Sequence, residues 1–492
     1  MQAKTAGIFR ESFLLTASRI WAQVANLILL LAAVRLLSPA AFGGFSLVSI
    51  TILIMHQAAE TGWYEFAAKS EAAENPPAEL FWCGAGAGLL AMTLVLIGAA
   101  ILSVFTGFNE YVIVMGMLSI IPLFGALTAV QIGRHTQRGQ TIKIPLTSIP
   151  SETIGLLVGI WGLHYGLGVI ALGLHKLATM LTIVISTTLW GGWLPALKFR
   201  TEQVREILNY AWRLLLARLS GFLQHYGADY LVGALLGLTE VGLFRAGGRL
   251  AGSVSEMLSE PLRMMSWSIL PPAHKKVGRE GLTSVLADTL AIALMVAMPA
   301  FVGLAILSGP LVALLFGEEW QASRSVLILL SLSKVGLIFI PVLTPVLSMK
   351  GAEELLPRVM FGIAIVALVS LAAIGWKSVN AAAFSQLLAS LIIASALWFP
   401  FSKFGGLRPR DIVYDFLKIT VAVAIMAVIA ILVRDFILSG AWPQWLSVAV
   451  TPPVAAIVYV VLLIILRPRP LDRLLAENID SSRPFLQRFK GM

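Results

Sequence analysis

Charge is scarce in this chain. Of its 492 residues only 13% are Asp, Glu, Lys or Arg, whereas 58% are hydrophobic. A soluble globular protein carries about 25% charged residues, so most of this surface is expected to face lipid rather than water. Cysteine is almost missing: Cys83 stands alone, which excludes an intrachain disulfide and any cysteine-rich metal site. Acids number 26 against 36 bases, a formal charge of +10. No nucleic-acid-binding pattern accompanies that excess, so nucleic acid is not expected as a partner. A G-x-x-x-x-G-K-[ST] loop is missing, which removes any P-loop of the chain's own. H-E-x-x-H, Cys/His metal spacings and a D-x-D pair are missing as well. Metal, cofactor and catalytic residues are therefore not expected, and the chain does not read as an enzyme.

What is present is a succession of apolar runs. A membrane-crossing helix needs about 20 such residues. Fourteen candidates begin near Phe13, Phe42, Leu80, Tyr111, Leu146, Val169, Leu214, Val241, Val285, Val326, Arg358, Ala381, Tyr414 and Leu446. The first lacks a small-residue cleavage site after it and is expected to be retained. Lys and Arg then alternate between the loops as the positive-inside rule requires. One side collects Lys4, Arg10, Arg134, Arg138, Lys143, Lys198, Arg200, Lys275, Lys276, Lys350, Lys403, Arg408 and the tail. The other holds little more than Arg35, Arg324, Lys377 and Arg434. Both termini are thus expected in the cytoplasm, with the chain in an inner or plasma membrane. The expected class is an all-α polytopic membrane protein of about fourteen transmembrane helices. Its expected parts are a six-helix lobe at 1–196, a cytoplasmic linker at 197–213, a second six-helix lobe at 214–400, two extra helices at 401–467 and a basic tail at 468–492.

A duplication supports the two lobes. Leu36-Leu37-Ser38-Pro39-Ala40-Ala41-Phe42-Gly43-Gly44-Phe45 returns, 199 positions on, as Leu235-Leu236-Gly237-Leu238-Thr239-Glu240-Val241-Gly242-Leu243-Phe244. Each is a turn between two apolar runs, with Pro39 or Gly237 breaking one helix before the next begins. The same offset pairs Arg19 with Arg218 and Asn26 with His225.

Charges inside the spans point to function. At mid-bilayer an Arg, Lys or Asp costs about 2.5–3.5 kcal/mol on the insertion scale, so such residues face polar interiors. At about 100° per residue, Arg19, Gln23 and Asn26 share one face of the first span. Arg218, His225 and Asp229 share one face of the seventh. Arg245, Arg249, Glu256, Glu260 and Arg263 share one face of the eighth, and Ser49, His56 and Glu60 one face of the second. Lys176 and Lys334 lie in the sixth and tenth. Structural readings stay open beside the functional one. Arg19 and Arg218 are near enough to the span ends to snorkel, and His56–Glu60 and Glu260–Arg263 have the spacing of helix pairs. Arg245 and Arg249 have no acid three or four residues away. A cavity richer in arginine than in carboxylate suits an anion, because guanidinium binds phosphate bidentately at any physiological pH. A lipid-linked pyrophosphate sugar is one such anion. Arg19, Gln23, Asn26, Arg218, His225, Arg245, Arg249, Glu256 and Lys334 are the candidate substrate-binding residues. Asp229, Glu60 and His56 are candidates for coupling to protons or sodium.

The sequence resembles the multidrug/oligosaccharidyl-lipid/polysaccharide (MOP) exporter superfamily, in its polysaccharide transporter or Wzx-type flippase branch. The likeness covers roughly residues 10–400. It rests on the run Arg19 to Leu37 with the following Ser38-Pro39-x-x-Phe42-Gly43-x-Phe45, and on Leu236-Gly237-Leu238-Thr239-Glu240-Val241-Gly242-Leu243-Phe244-Arg245-Ala246. A third stretch is Leu314-Leu315-Phe316-Gly317-Glu318-Glu319-Trp320. The resemblance implies two six-helix lobes related by a pseudo-two-fold along the membrane normal, rocking about a central cavity. It implies a flippase of the bacterial inner membrane carrying an undecaprenyl-pyrophosphate-linked oligosaccharide, for exopolysaccharide, capsule or O-antigen synthesis, beside polymerase and assembly proteins. It also implies that Arg19, Arg218, Arg245 and Arg249 are cavity cations. The two extra spans depart from the usual twelve and are similar to lipid II flippases. A cation-coupled drug antiporter of the same fold, a lipid II flippase and, in a different class, a membrane ligase or polymerase remain the alternatives.

Overall fold

The computed structural model describes residues 2–69, 77–191, 195–196, 200–440 and 442–473. Residues 197–199 of the expected linker, and the expected tail beyond 473, lie outside them. The described residues are all-helical, with no strand among them. They divide into two compact units, Met1–Gly233 with Gly237–Gly242, and Ala234–Leu236 with Leu243–Met492.

The first unit contains α1 (Gln2–Leu36), α2 (Pro39–Glu60), α3 (Trp63–Lys69), α4 (Ala78–Thr106) and α5 (Glu110–Leu118). It continues with α6 (Ile121–Gln137), α7 (Lys143–His164), α8 (Val169–Gly191) and nearly all of α9 (Thr201–Leu236), so residues 201–213 are already helical. The second unit takes most of α10 (Leu238–Ile306), then α11 (Ser308–Leu315), α12 (Ser323–Leu337), α13 (Ile340–Ser348) and α14 (Leu355–Ile374). It ends with α15 (Val379–Gly405), α16 (Val413–Ser439) and α17 (Gln444–Leu466).

Among the described residues, twelve helical stretches are long and apolar enough to cross a bilayer. They coincide, within a few residues, with twelve of the fourteen expected spans. The two left over, expected near Leu214 and Val241, are helical but lie in α9 and α10, the helices that carry the clustered charges. Lipid cannot satisfy a backbone N–H or C=O, so helices are the natural response to these apolar runs. Where the chain leaves helix, proline and glycine explain it. Expected span four is broken between α5 and α6 just before Pro122, and span ten between α12 and α13 just before Pro341. Proline has no N–H to give to the preceding turn.

Two apolar clusters hold the first unit. One joins α1, α2, α4, α5, α7 and α8 through residues such as Leu29, Val48, Val95, Leu118 and Leu172. The other joins α2, α3, α4, α6 and α9 through Trp63, Leu80, Val130 and Ile207. In the second unit, α16 and α17 pack on α10 through Met426, Leu294 and Phe301. The Tyr459 hydroxyl donates to the Met295 carbonyl at 2.8 Å. The outward faces of α4, α16 and α17 stay apolar, with Leu90, Val428 and Ile457 exposed, as a lipid-facing helix requires.

The repeated turn organises the first unit. Ser38 caps α2, its hydroxyl accepting from the Ala41 N–H at 3.3 Å, and Pro39 follows at the first turn. In the second copy Gly237 ends α9 with φ of 102°, a conformation open to glycine. The two copies meet reciprocally. A Cβ on Gly43 would overlap the Leu238 carbonyl, and one on Gly242 would overlap the Pro39 carbonyl. Because the obstacle is backbone, no rotamer change relieves it.

Gly43→Ala and Gly242→Ala are each expected to cost about 1–3 kcal/mol, as overpacking does. Gly86→Ala is the control: it lies within α4 with nothing within 4 Å of an added Cβ, and should be neutral or slightly stabilising. Melting of the detergent-purified variants reads this directly. Equal melting temperatures for all three would dispose of the contact's importance.

Candidate functional site

Polar side chains collect inside the first unit. A cavity of about 170 Å³ is lined by Asn26 from α1, Ser49 and His56 from α2, Ile121 from α6, Glu152 from α7, and His175, Lys176 and Thr179 from α8. Glycine makes room for it. A Cβ on Gly125 of α6 would overlap the His56 ring, and one on Gly155 of α7 would overlap the Thr179 hydroxyl. The Asn26 side-chain amide donates to the Ala22 carbonyl at 2.8 Å and reaches Glu152 Oε2 at 3.5 Å. Trp21 Nε1 donates to Thr153 Oγ1 at 3.0 Å, tying α1 to α7 one residue away. Lys176 is near enough to act electrostatically on His56, Glu152 and His175. The Nδ1 atoms of His56 and His175 lie near the Ile121 and Gly155 backbones without a well-aligned hydrogen bond. One carboxylate, one ammonium and two imidazoles thus face a space wide enough for about six waters.

The polar line continues along α2. His56 Nε2 lies 3.5 Å from Glu60 Oε2. Glu60 in turn feels Arg218 of α9. Arg218 bonds Glu65 Oε1 of α3 at 2.5 Å and reaches Thr61 Oγ1 at 3.4 Å. Arg218 is therefore already engaged by a protein carboxylate. Asp229 is buried, and the next residue, Tyr230, shares a hydrogen bond of 2.5 Å with Thr51. His225 is exposed, its Nδ1–H donating to the Gly221 carbonyl at 2.8 Å in that tautomer. Arg19 and Gln23 are exposed on α1 and lie outside the cavity.

In the second unit the charges run along α10. Arg245 is half-buried, whereas Arg249 and Glu256 are exposed. The Arg249 carbonyl accepts from Ser253 Oγ at 2.9 Å, and among the described residues its guanidinium forms no ion pair. Lys334 on α12 is half-buried within electrostatic reach of Glu256. Glu260 and Arg263 hold each other through two bonds of 2.7 Å, the helix pair that their spacing suggests.

The helical faces read from the sequence leave out Glu65, Glu152 and His175, and mark Lys176 only as an intramembrane charge. Glu152 carried a visible signal, an acid inside an expected span two residues after Pro150. Nothing in the sequence brings α7 and α8 against His56. Gly125→Ala should displace the His56 imidazole and destabilise the protein by about 1–3 kcal/mol. Adding His56→Ala removes the overlap, so the double variant should melt above Gly125→Ala, a non-additivity expected of side chains in contact. Strict additivity in that cycle would mean the two do not touch.

A family model described as "Polysaccharide biosynthesis protein" matches residues 31–325. The succinoglycan biosynthesis transport protein ExoT of Rhizobium meliloti is 22% identical over 61% of this chain and 60% of its own length. The probable low-salt glycan biosynthesis flippase Agl15 of Haloferax volcanii is 22% identical over 27% of this chain and 28% of its own. The chain thus matches less than two thirds of the length of either relative. Among solved structures, the lipid II flippase MurJ in an inward closed conformation superposes with a TM-score of 0.67 at 12% identity, covering 92% of this chain and 99% of that one. An inward-facing multidrug resistance MATE transporter of the MOP superfamily gives 0.54 at 16%, covering 81% and 95%. At such identities these two likenesses establish the fold. With the family match spanning more than half of its residues, this multi-span membrane protein belongs to the polysaccharide biosynthesis protein family, on a fold shared with MurJ and MATE transporters.

Proposed function

We propose that the chain is a flippase, not an enzyme, that moves an undecaprenyl-pyrophosphate-linked oligosaccharide across a bacterial inner membrane, with both termini cytoplasmic and no cofactor. The observation that carries this reading is the row of basic side chains on α10, where Arg249 has no ion-pair partner among the described residues. A guanidinium held on a helix of a membrane fold is costly unless an anion or water meets it. A pyrophosphate offers oxygens in the geometry that guanidinium forks accept. The family, and relatives named as a glycan transport protein and a glycan flippase, support a saccharide cargo. The polyprenyl carrier follows from the resemblance of the sequence to Wzx-type flippases. In this reading Arg245, Arg249 and Lys334 meet the pyrophosphate, and Glu256 keeps Lys334 oriented. Arg19, Gln23 and Asn26 contribute to saccharide passage. Arg218 and His225 act more as structural groups, given their bonds to Glu65 and Gly221.

Coupling in this reading falls to the carboxylates. Asp229 is the buried acid of α9, and Glu60 pairs with His56 beside the cavity that also holds Glu152. Proton or sodium movement through these groups would drive the cycle, and polymerase and assembly proteins would consume the product.

Reconstituted proteoliposomes test the cargo. Arg249→Ala is expected to slow flipping of a pyrophosphate-linked oligosaccharide about tenfold or more, the worth of one charge-assisted bond, and Arg245→Ala with Arg249→Ala to abolish it. Uptake of a lipophilic cation at the wild-type rate, with no flipping, would instead make the chain a drug exporter. Asp229→Asn should make the residual flipping insensitive to collapse of the proton or sodium gradient. A response identical to wild type would remove Asp229 from the coupling path.

A further inference from the structure

A second polar cavity, of about 220 Å³, sits in the C-terminal unit among α11, α12, α16 and α17. Arg324, Arg434, Asp435, Gln321 and Gln444 supply its polar lining. Arg434 is committed: its Nε donates to Asp435 Oδ1 at 2.8 Å and its Nη1 to the Ile306 carbonyl at 2.9 Å. Those bonds fix the guanidinium at one wall, with its side chain 16% exposed. Arg324 is different. Its guanidinium lies over Gly309, where an added Cβ would come within 3.2 Å of Cζ, and it forms no side-chain bond among the described residues. The two arginines and one aspartate leave the lining with a net charge of one positive. Beside that charge stand two primary amides, which can donate to or accept from hydroxyls, and the Asp435 carboxylate, which accepts from them. The other walls are apolar, from Pro310, Ala313 and Leu438. The volume holds about seven waters, the space of one sugar ring.

The cavity lies at the end of α16 opposite the one that meets residues 467–473. Asp415, near the start of α16, accepts the Arg469 N–H at 2.8 Å. Arg434 is farther along the same helix by about 30 Å, one hydrocarbon thickness.

We propose that this cavity binds the acidic residue of a saccharide, a hexuronate-type ring whose carboxylate meets Arg324 and whose hydroxyls meet Asp435, Gln321 and Gln444. It rests on the reading of the chain as a saccharide-precursor transporter, and specifies that the saccharide carries a carboxylate. Arg324 lies on the face poor in Lys and Arg, which the positive-inside rule places outside. The site therefore receives the sugar after translocation, apart from the basic row on α10 assigned to the pyrophosphate.

The test is binding to the full chain in nanodiscs at fixed ionic strength, without transport. D-glucuronate, D-glucose, acetate and glycerol 1-phosphate are the probes, followed by thermal shift and calorimetry. Glucuronate should bind saturably, with glucose and acetate at least about tenfold weaker. Arg324→Gln should weaken glucuronate about tenfold or more while leaving the apparent melting temperature unchanged, because the side chain is exposed and forms no side-chain bond among the described residues. Gln444→Ala, at a second exposed wall position, should weaken glucuronate without changing acetate. Binding of acetate as strong as glucuronate, or glucuronate binding that survives Arg324→Gln, overturns the proposal. Selective binding of glycerol 1-phosphate also overturns it, by marking a lipid headgroup site. No glucuronate binding, with flipping intact, removes only this site. Glucuronate binding without any flipping leaves the site and removes the flippase reading.

Discussion

The backbone of one repeated turn lies where the side chain of the other would be. Gly43 meets the Leu238 carbonyl and Gly242 meets that of Pro39, and the offset that relates Gly43 to Gly242 also relates Pro39 to Leu238. The contact is thus reciprocal, the arrangement expected when two equivalent segments face one another. In lipid no hydrophobic force drives helices together, so close approach through small residues becomes a principal source of association. From this contact α2 runs to His56 and Glu60, and α9 runs back from it to Arg218. The charged groups of the first unit are therefore placed by two helices that the turn itself locks together. A second trace of the duplication is the break before Pro122 in one half and before Pro341 in the other. Both occur in the fourth span of their half, where a lost backbone bond interrupts the same helix twice.

Membrane charge separates scaffold from function. The helices most apolar along their middle, α4, α16 and α17, serve packing there and keep what charge they carry at their ends. The two stretches that fall short of an apolar span, in α9 and in the N-terminal part of α10, hold Arg218, Arg245, Arg249, His225, Asp229 and Glu256. Some of that charge is settled inside the protein. Arg218 has Glu65, and Arg263 has Glu260, so each is compensated and neither needs a ligand. The exposed Arg249 and the half-buried Lys334 are not settled so directly: Arg249 forms no ion pair among the described residues, and Lys334 is within electrostatic reach of Glu256.

Much of this fold was legible in the sequence because lipid imposes a simple code: about 20 apolar residues per crossing, and turns at Pro and Gly. Twelve expected spans coincide with apolar helices, and the Leu-Ser-Pro turn carries the sequence repeat. The site was less legible. Helical periodicity places Asn26, Ser49 and His56 on faces of their own helices, and all three line the N-terminal cavity. It says nothing about which other helix closes that cavity, so Glu152 and His175 on α7 and α8 escaped it. Pair spacing correctly anticipated His56–Glu60 and Glu260–Arg263, which are local. It could not anticipate Arg218–Glu65, whose partners are 153 residues apart in sequence. Charge count alone also treats Arg19, which lies outside the cavity, as the equal of residues within it.

The last two helices show how a long-range constraint can prepare a local site. At one end of α16 the buried Asp415 accepts the Arg469 backbone N–H, Lys418 donates to the Arg467 carbonyl at 2.7 Å, and Arg473 pairs with Asp288 of α10. A carboxylate as buried as Asp415, at 2% exposure, is tolerable only when such donors stay in place. In the middle, Tyr459 and the cluster around Met426 fasten both helices to α10. With one end and the middle held, the far end of α16 has little freedom, and Arg434 completes it by bonding the terminal carbonyl of α10. The guanidinium of Arg324 therefore faces a wall already fixed by bonds made across the whole thickness of the membrane. A ligand entering there need order only itself and one side chain, which is the condition under which a small, singly charged group can be held at an exposed surface.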